Sequence, residues 1–570
     1  MKHRMRKFTA AVMSCILCGT VMPVSVFAAE PAGTAAELPA KYDPRTEEPE
    51  ILTTVKNQTS PICWSYSSLG CIESNLIKKG YADNTLNLSE AHLIWFSRGK
   101  DSPDDPDDPR HGGGKNLGKE AYRTGSYTIN TIAALAAWQG IVTDSDALTL
   151  TQTPVMAESE RYRSSAHLQN ADYYKASEKD GIKASILKNG PMILGYFCAE
   201  NYPLSAKAGY YNADVTMEAA RRSDLAGGWH SVMVVGWDDT YSKENFTVPA
   251  PGDGAWIIKN SYGNFQRSEN GYFYMSYYEP TIDEVVSVDM EPVTNYGAVH
   301  SYDCSDLSTT YFAEKNCGLM LANVFEAKEP ETVTAVGFFS AEQIPECKIC
   351  VYKLNPDAEN PEDGTPAIEM TANIAHKGYH TIKLPESFKA EAGQKYAVTV
   401  RMPIETIQPA ILDSGCYKAG VSYYRFYTAE EEKPWKDCFR AGRGDCTIHV
   451  YTEYTGEEKD PFIKNADGTL IDAYPEPLMR ETLSELDTNH DGYFSREESA
   501  ASYTGVIYDI NRDGLSDSRD LTLLKRAILG LQESGSGYDW KEADIDINCV
   551  YEYNDVHILK CWTLQKSTKE

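Results

Sequence analysis

Val55-Lys56-Asn57-Gln58-Thr59-Ser60-Pro61-Ile62-Cys63-Trp64-Ser65 is the stretch whose reading decides the fold of the first half of this 570-residue chain. A glutamine stands shortly before a Cys-Trp pair, and from Cys63 onward Leu69, Ile72, Leu76 and Ile77 recur at helical spacing until Gly80 stops the run. The thiol therefore falls at a helix N-terminus. There the unpaired N–H groups, with a histidinium nearby, lower a cysteine pKa from about 8.5 to as low as about 3.5.

Far downstream, Gly227-Gly228-Trp229-His230-Ser231-Val232-Met233-Val234-Val235-Gly236-Trp237 places a histidine at the start of an apolar strand. The next strand, Gly254-Ala255-Trp256-Ile257-Ile258-Lys259-Asn260-Ser261-Tyr262-Gly263, ends on Asn260, and Gly271 to Tyr277 reads as another. Each residue alone has a plain structural explanation: a buried thiol, a strand-edge histidine, a turn asparagine. Their joint order carries the reading. The three blocks, with Leu38-Pro39-Ala40-Lys41-Tyr42-Asp43-Pro44-Arg45 and Asn189-Gly190-Pro191-Met192, resemble the papain-like cysteine peptidases over residues 36–285.

That resemblance implies an α+β papain-like fold and a polypeptide substrate. It also implies roles: Cys63 as nucleophile, His230 as its proton partner, Asn260 orienting the imidazole, and Gln58 with the Cys63 N–H holding the oxyanion. Three departures stand out. The Gln58–Cys63 loop is one residue shorter than usual, with Pro61-Ile62 in it. Tyr262 stands where the family commonly has tryptophan, and the half-cystine that normally precedes the nucleophile is absent. The family's specificity pocket is expected to include Ser231 and a glycine from the 112–125 region.

Residues 1–28 read as a signal peptide: Lys2, Arg4, Arg6 and Lys7 precede an apolar stretch that ends in Val26-Phe27-Ala28. A secreted, extracellular protein follows, reaching a cell surface only through a complex. No other apolar run approaches the roughly 18 residues of a membrane span. The peptidase pattern starts at Leu38, which leaves no room for a long inhibitory propeptide. The net charge of −29 argues against nucleic acid or anionic membrane as partners. Twelve cysteines remain beyond the leader, too dispersed for a disulfide scaffold. With Cys63 as nucleophile the remainder is odd, so pairing stays open.

From about 293 to 455 the helical pattern gives way to short alternating runs such as Thr332 to Phe339, Lys348 to Tyr352, Lys395 to Val400 and Thr447 to Tyr451, separated by turn residues. These predict a β-sandwich. Gly378 to Leu384, Ala392 to Tyr396 and Gly420 to Tyr423 resemble the lectin-like domain that follows some bacterial papain-like peptidases. Glycan binding would need exposed aromatics such as Trp435 or Tyr424. The sequence favours a packed spacer with its aromatics in the core. The acidic, Pro-interrupted segment Asp101 to Pro109 reads as a solvated surface loop.

A linker, 456–480, leads to a small α-helical calcium-binding module at 481–565. Asp509, Asn511, Asp513, Asp517 and Asp520 occupy positions 1, 3, 5, 9 and 12 of a calcium loop, with Leu515 at position 7 and Gly514 at the sharp turn. A weaker copy follows at Asp544, Asp546, Asn548, Val550, Glu552 and Asp555, with Cys549 in place of the turn glycine. A third loop, Asp487, Asn489, Asp491, Tyr493, Ser495 and Glu498, fits the ordinary EF-hand pattern. The duplicated loop and helix resemble dockerin. This implies structural Ca²⁺, none of it for catalysis, and a cohesin domain of a cellulosome-type scaffoldin as partner. Ser518-Arg519 and Tyr553-Asn554 differ at the positions that face cohesin, which implies a single docking orientation. The alternative reading is a catalytically silent papain-like binding scaffold carried by the same complex.

Overall fold

The computed structural model describes residues 38–456, apart from 144–154 and short interruptions at 59, 107, 200–202, 223–224, 266, 313–315, 404–407, 414 and 417, and also the backbone of Ser25–Val26. The rest of the anticipated leader, the linker and all three calcium loops lie outside the described residues.

In the first half, helix α1 (Cys63–Lys78) stops as its sequence predicts: Gly80 takes φ 76°, which a side chain disfavours, and Tyr81 N–H closes back on the Leu76 carbonyl at 2.9 Å. Its face of Leu69, Ile72 and Leu76 packs on Met233, Val235, Val286 and Met290. These belong to an antiparallel sheet whose members include β1 (Lys41–Tyr42), β2 (Ala166–Tyr174), β3 (Met192–Ala199), β4 (Gly227–Asp238), β5 (Ala255–Lys259), β6 (Tyr272–Ser276) and β7 (Ile282–Pro292). Helix α2 (Lys179–Asn189) buries Ile182 and Ile186 in a second cluster with Leu194, Val232 and Trp256. Helix and sheet layers thus form the expected α+β peptidase half.

The second half is β-rich. It comprises β8 (Leu307–Phe312), β9 (Gly318–Glu326), β10 (Glu331–Ser340), β11 (Ile344–Leu354), β12 (Gly364–Ile374), β13 (Lys377–Ala390), β14 (Lys395–Arg401), β15 (Gln408–Asp413), β16 (Ser422–Tyr427) and β17 (Ile448–Thr452). One sheet runs β12-β11-β14-β9-β16, with Ser25–Val26 pairing on the outer edge of β12. It faces β17-β10-β13 across a core of Leu321, Val351, Val398, Phe338 and Val450.

The two halves share a sheet. Strand β13 pairs with β2, so a single sheet continues β17-β10-β13-β2-β7-β3-β4-β5-β6 through both halves. The junction depends on Gly378. Its φ is 140°, and a Cβ there would lie 1.8 Å from the Ala171 carbonyl oxygen on β2. Strand β10 buries Val336 and Phe338 in the sandwich, and Ala335 and Phe339 in the peptidase core.

One expectation changes in part, and that of aromatics packed in the core is met for Tyr424. Asp101 is fully buried because the Arg161 guanidinium gathers the Asp101 and Ser102 carbonyls at 3.0 Å each, whereas Asp104, Asp105 and Pro106 stay exposed as the solvated loop was expected to be. Tyr424 is also buried, its ring 5.0 Å from that of Phe312. Trp435 lies half-buried against the Arg425 guanidinium, so these two rings form no open platform.

Candidate active site

Cys63 opens α1 behind Ile62, which is fully buried, and Trp64, whose indole N–H donates to the Thr124 carbonyl at 3.2 Å. These two anchors fix the first turn while the thiol itself stays partly exposed. The backbone N–H groups of Ser231, Trp64 and Cys63 face the sulfur, so the strand that carries His230 runs directly beside it.

His230 is buried on β4, and its Nε2 lies 2.9 Å from Asn260 Oδ1. That oxygen also accepts the Ser261 N–H at 2.8 Å, which fixes the amide orientation. Nε2 must therefore carry the proton, leaving Nδ1 as the basic nitrogen in the neutral ring. Tyr262 stacks on the imidazole at 4.8 Å with an interplanar angle of 5°, covering the His–Asn pair on the side that water would approach.

Burial pushes the Cys63 thiol up, against the pull of the three N–H groups. Burial also lowers His230 to about 4, only partly offset by the Asn260 bond. The sequence led to a thiol lowered by the helix N–H groups with a histidinium nearby; with a neutral imidazole beside it, desolvation of Cys63 outweighs the N–H groups.

Gln58 sits in the shortened loop. Its Nε2 donates to the Ser60 carbonyl at 2.8 Å, and its Oε1 accepts from Ser261 Oγ at 2.5 Å. One amide proton remains beyond these bonds. Its backbone N–H meets the Ser261 carbonyl at 2.7 Å, and Gly263 N–H meets the Lys56 carbonyl at 3.0 Å. The segment that carries the glutamine is thereby laced to the one that follows Asn260. Below the lace, Lys56 pairs with Glu90 at 2.7 Å and with the fully buried Glu73 at 3.1 Å. Thr53 Oγ1 donates to Glu73 at 2.6 Å, and Lys259, lowered by burial to about 8, donates to the Thr53 carbonyl at 2.8 Å.

Sequence reasoning missed Ser261, Glu73 and Lys56; the one available signal was a carboxylate amid the helix's apolar positions. Ser231 Oγ bonds Ser67 Oγ at 2.6 Å.

A family model described as papain family cysteine protease matches residues 38–294. These residues are a papain-like cysteine peptidase domain. A second model, the lectin like domain, matches residues 299–452 of the peptidase. Among solved structures, the clostridial cysteine protease Cwp84 after propeptide cleavage is 20% identical with a TM-score of 0.56, covering 73% of this chain and 99% of that one. The cysteine protease and lectin-like domains of Cwp84, a surface layer associated protein of Clostridium difficile, give 20% identity and 0.55, covering 73% and 89%. At that identity the likeness is one of fold. No curated protein matches the chain. Among the described residues no helix is long and apolar enough to cross a membrane.

Proposed function

We propose that the peptidase is a secreted endopeptidase working through Cys63, His230 and Asn260. The observation that carries this is the His230 Nε2–Asn260 Oδ1 pair at 2.9 Å, on a strand whose next N–H faces the Cys63 sulfur. His230 Nδ1 takes the thiol proton as sulfur attacks the scissile carbonyl, and the imidazolium then protonates the departing amine. Gln58 and the Cys63 N–H stabilise the oxyanion. Water, activated by the neutral imidazole, releases the thioester.

The leader pattern supports export. The duplicated calcium loops at Asp509 to Asp520 and Asp544 to Asp555, with Asp487 to Glu498 upstream, support a dockerin that holds the enzyme on a cohesin-bearing scaffoldin. Glycan recognition by the lectin-like half is a lesser role, for which the exposed Tyr311 and Phe439 are the available rings.

Intact-mass labelling with a cysteine-peptidase epoxide, beside hydrolysis of unfolded casein, tests the enzyme. A single adduct and cleavage, both lost in Cys63→Ala, are expected. Neither signal in a folded protein would favour the silent scaffold. Chelation of calcium is expected to abolish cohesin binding while casein hydrolysis persists; cohesin binding that survives chelation would refute the dockerin.

A further inference from the structure

The junction of the two halves holds a pair of thiols that the proposed chemistry does not use. Strands β8 and β15 form an antiparallel ladder that begins with Leu307 opposite Asp413. Cys304 lies three residues before Leu307 and Cys416 three residues after Asp413, so the register of the ladder, carried past its end, sets the two cysteines opposite each other. Their sulfurs are 2.7 Å apart, and both residues are buried. One carboxylate holds both backbones in place: Asp413 accepts the Cys304 N–H on Oδ2 and the Cys416 N–H on Oδ1.

The peptidase half closes the site from the other side. Gly113 packs against the pair so tightly that a Cβ there would lie 2.3 Å from the Cys416 sulfur, and the Cys304 thiol faces the Arg110 carbonyl at 3.8 Å.

We propose that Cys304 and Cys416 form a disulfide that closes the lectin-like ladder beneath the peptidase loop 101–117. A soft metal ion held by the two sulfurs and Asp413 is the other chemistry this cluster suggests. The distances separate them. Two thiolates on tetrahedral zinc, with bonds of about 2.3 Å, stand about 3.8 Å apart. A disulfide needs about 2.05 Å. A separation of 2.7 Å is nearer the bond. Asp413 is moreover already committed to three backbone donors, Gly415 N–H at 2.6 Å being the third.

On oxidation both S–H bonds break, the sulfurs join, and the two protons pass, with the electrons, to the disulfide that is reduced. The two electrons reduce a small disulfide such as oxidised glutathione to two thiols. Cys416, despite its hydrogen bond with Cys304, is pushed up to about 11 by burial and Asp413, so exchange belongs to folding, while the thiols are open.

The test refolds the full chain in a buffer of oxidised and reduced glutathione, alkylates it under denaturing, non-reducing conditions and maps its peptides. A peptide joining Cys304 to Cys416, lighter by two hydrogens than the free pair and released by reductant, is expected. The folded, oxidised protein should also unfold at a higher temperature than its reduced form, a difference that vanishes in the Cys304→Ser, Cys416→Ser double variant. Alkylation of both cysteines, linkage of either one to Cys438 or Cys446, or bound zinc protecting both without a cross-link, would overturn the proposal.

Discussion

Two neighbours and burial each remove a different freedom of the His230 ring. Asn260 fixes the tautomer, Tyr262 caps the face, and burial withholds charge. In Cys63→Ala, where no thiolate forms, His230 should stay neutral far below the ordinary histidine range of about 6.5 and gain its proton only near pH 4. The sign is fixed by burial, which disfavours imidazolium; ring-proton NMR across pH checks it, and titration near 6.5 would contradict it. Gln58→Ala removes one oxyanion donor and should cost about 100-fold in kcat with little change in KM. Ser261→Ala releases the Gln58 Oε1 anchor and should lower kcat less, because the donor is loosened rather than lost; steady-state kinetics on a peptide substrate would rank the two. That His230 meets Asn260 on a strand beside Cys63 was legible in the sequence because each of the three sits in a local motif. Ser261 and Glu73 were not, since their roles come from segments that meet only in the folded chain, such as the lace of 56–58 with 261–263.

Strand β10 shows why the second half was legible as β while its continuity with the peptidase sheet was not. The run from Thr332 to Phe339 suggests one buried face, yet Val336 and Phe338 point into the sandwich while Ala335 and Phe339 point into the peptidase core. Burial of both faces belongs to an interior strand, and the near-continuous apolar run Ala335-Val336-Gly337-Phe338-Phe339 is its local trace, though it does not name the partner strand. The pairing of β13 with β2 is equally non-local, and its one local trace is Gly378. Gly378→Ala combines an unfavourable φ with a backbone clash and should destabilise the chain by more than about 3 kcal/mol. Urea unfolding, with limited proteolysis between residues 293 and 299, would register it. A near-neutral result would mean that the two halves do not depend on this pairing.

At the scale of the molecule, the sheet and the Cys304–Cys416 pair act on the same boundary. Their separation of 112 residues makes a cross-link costly to the denatured chain: about 5 kcal/mol of loop entropy in the simple model, of which about 2–4 kcal/mol is typically realised. Reduction should lower the urea midpoint accordingly, and an unchanged midpoint would show that the bond, even if present, carries no stability. The continuous sheet also governs how the gene can be cut. A fragment ending near residue 294 would keep every group of the active site, yet leave the outer side of β2 with unpaired N–H and C=O groups beside an apolar surface made for Ala335, Phe339 and Tyr451. Such an edge recruits whatever strand is nearest, commonly a second copy of itself. The minimal catalytic fragment therefore invites aggregation, and the lectin-like half serves the peptidase as a built-in guard against it.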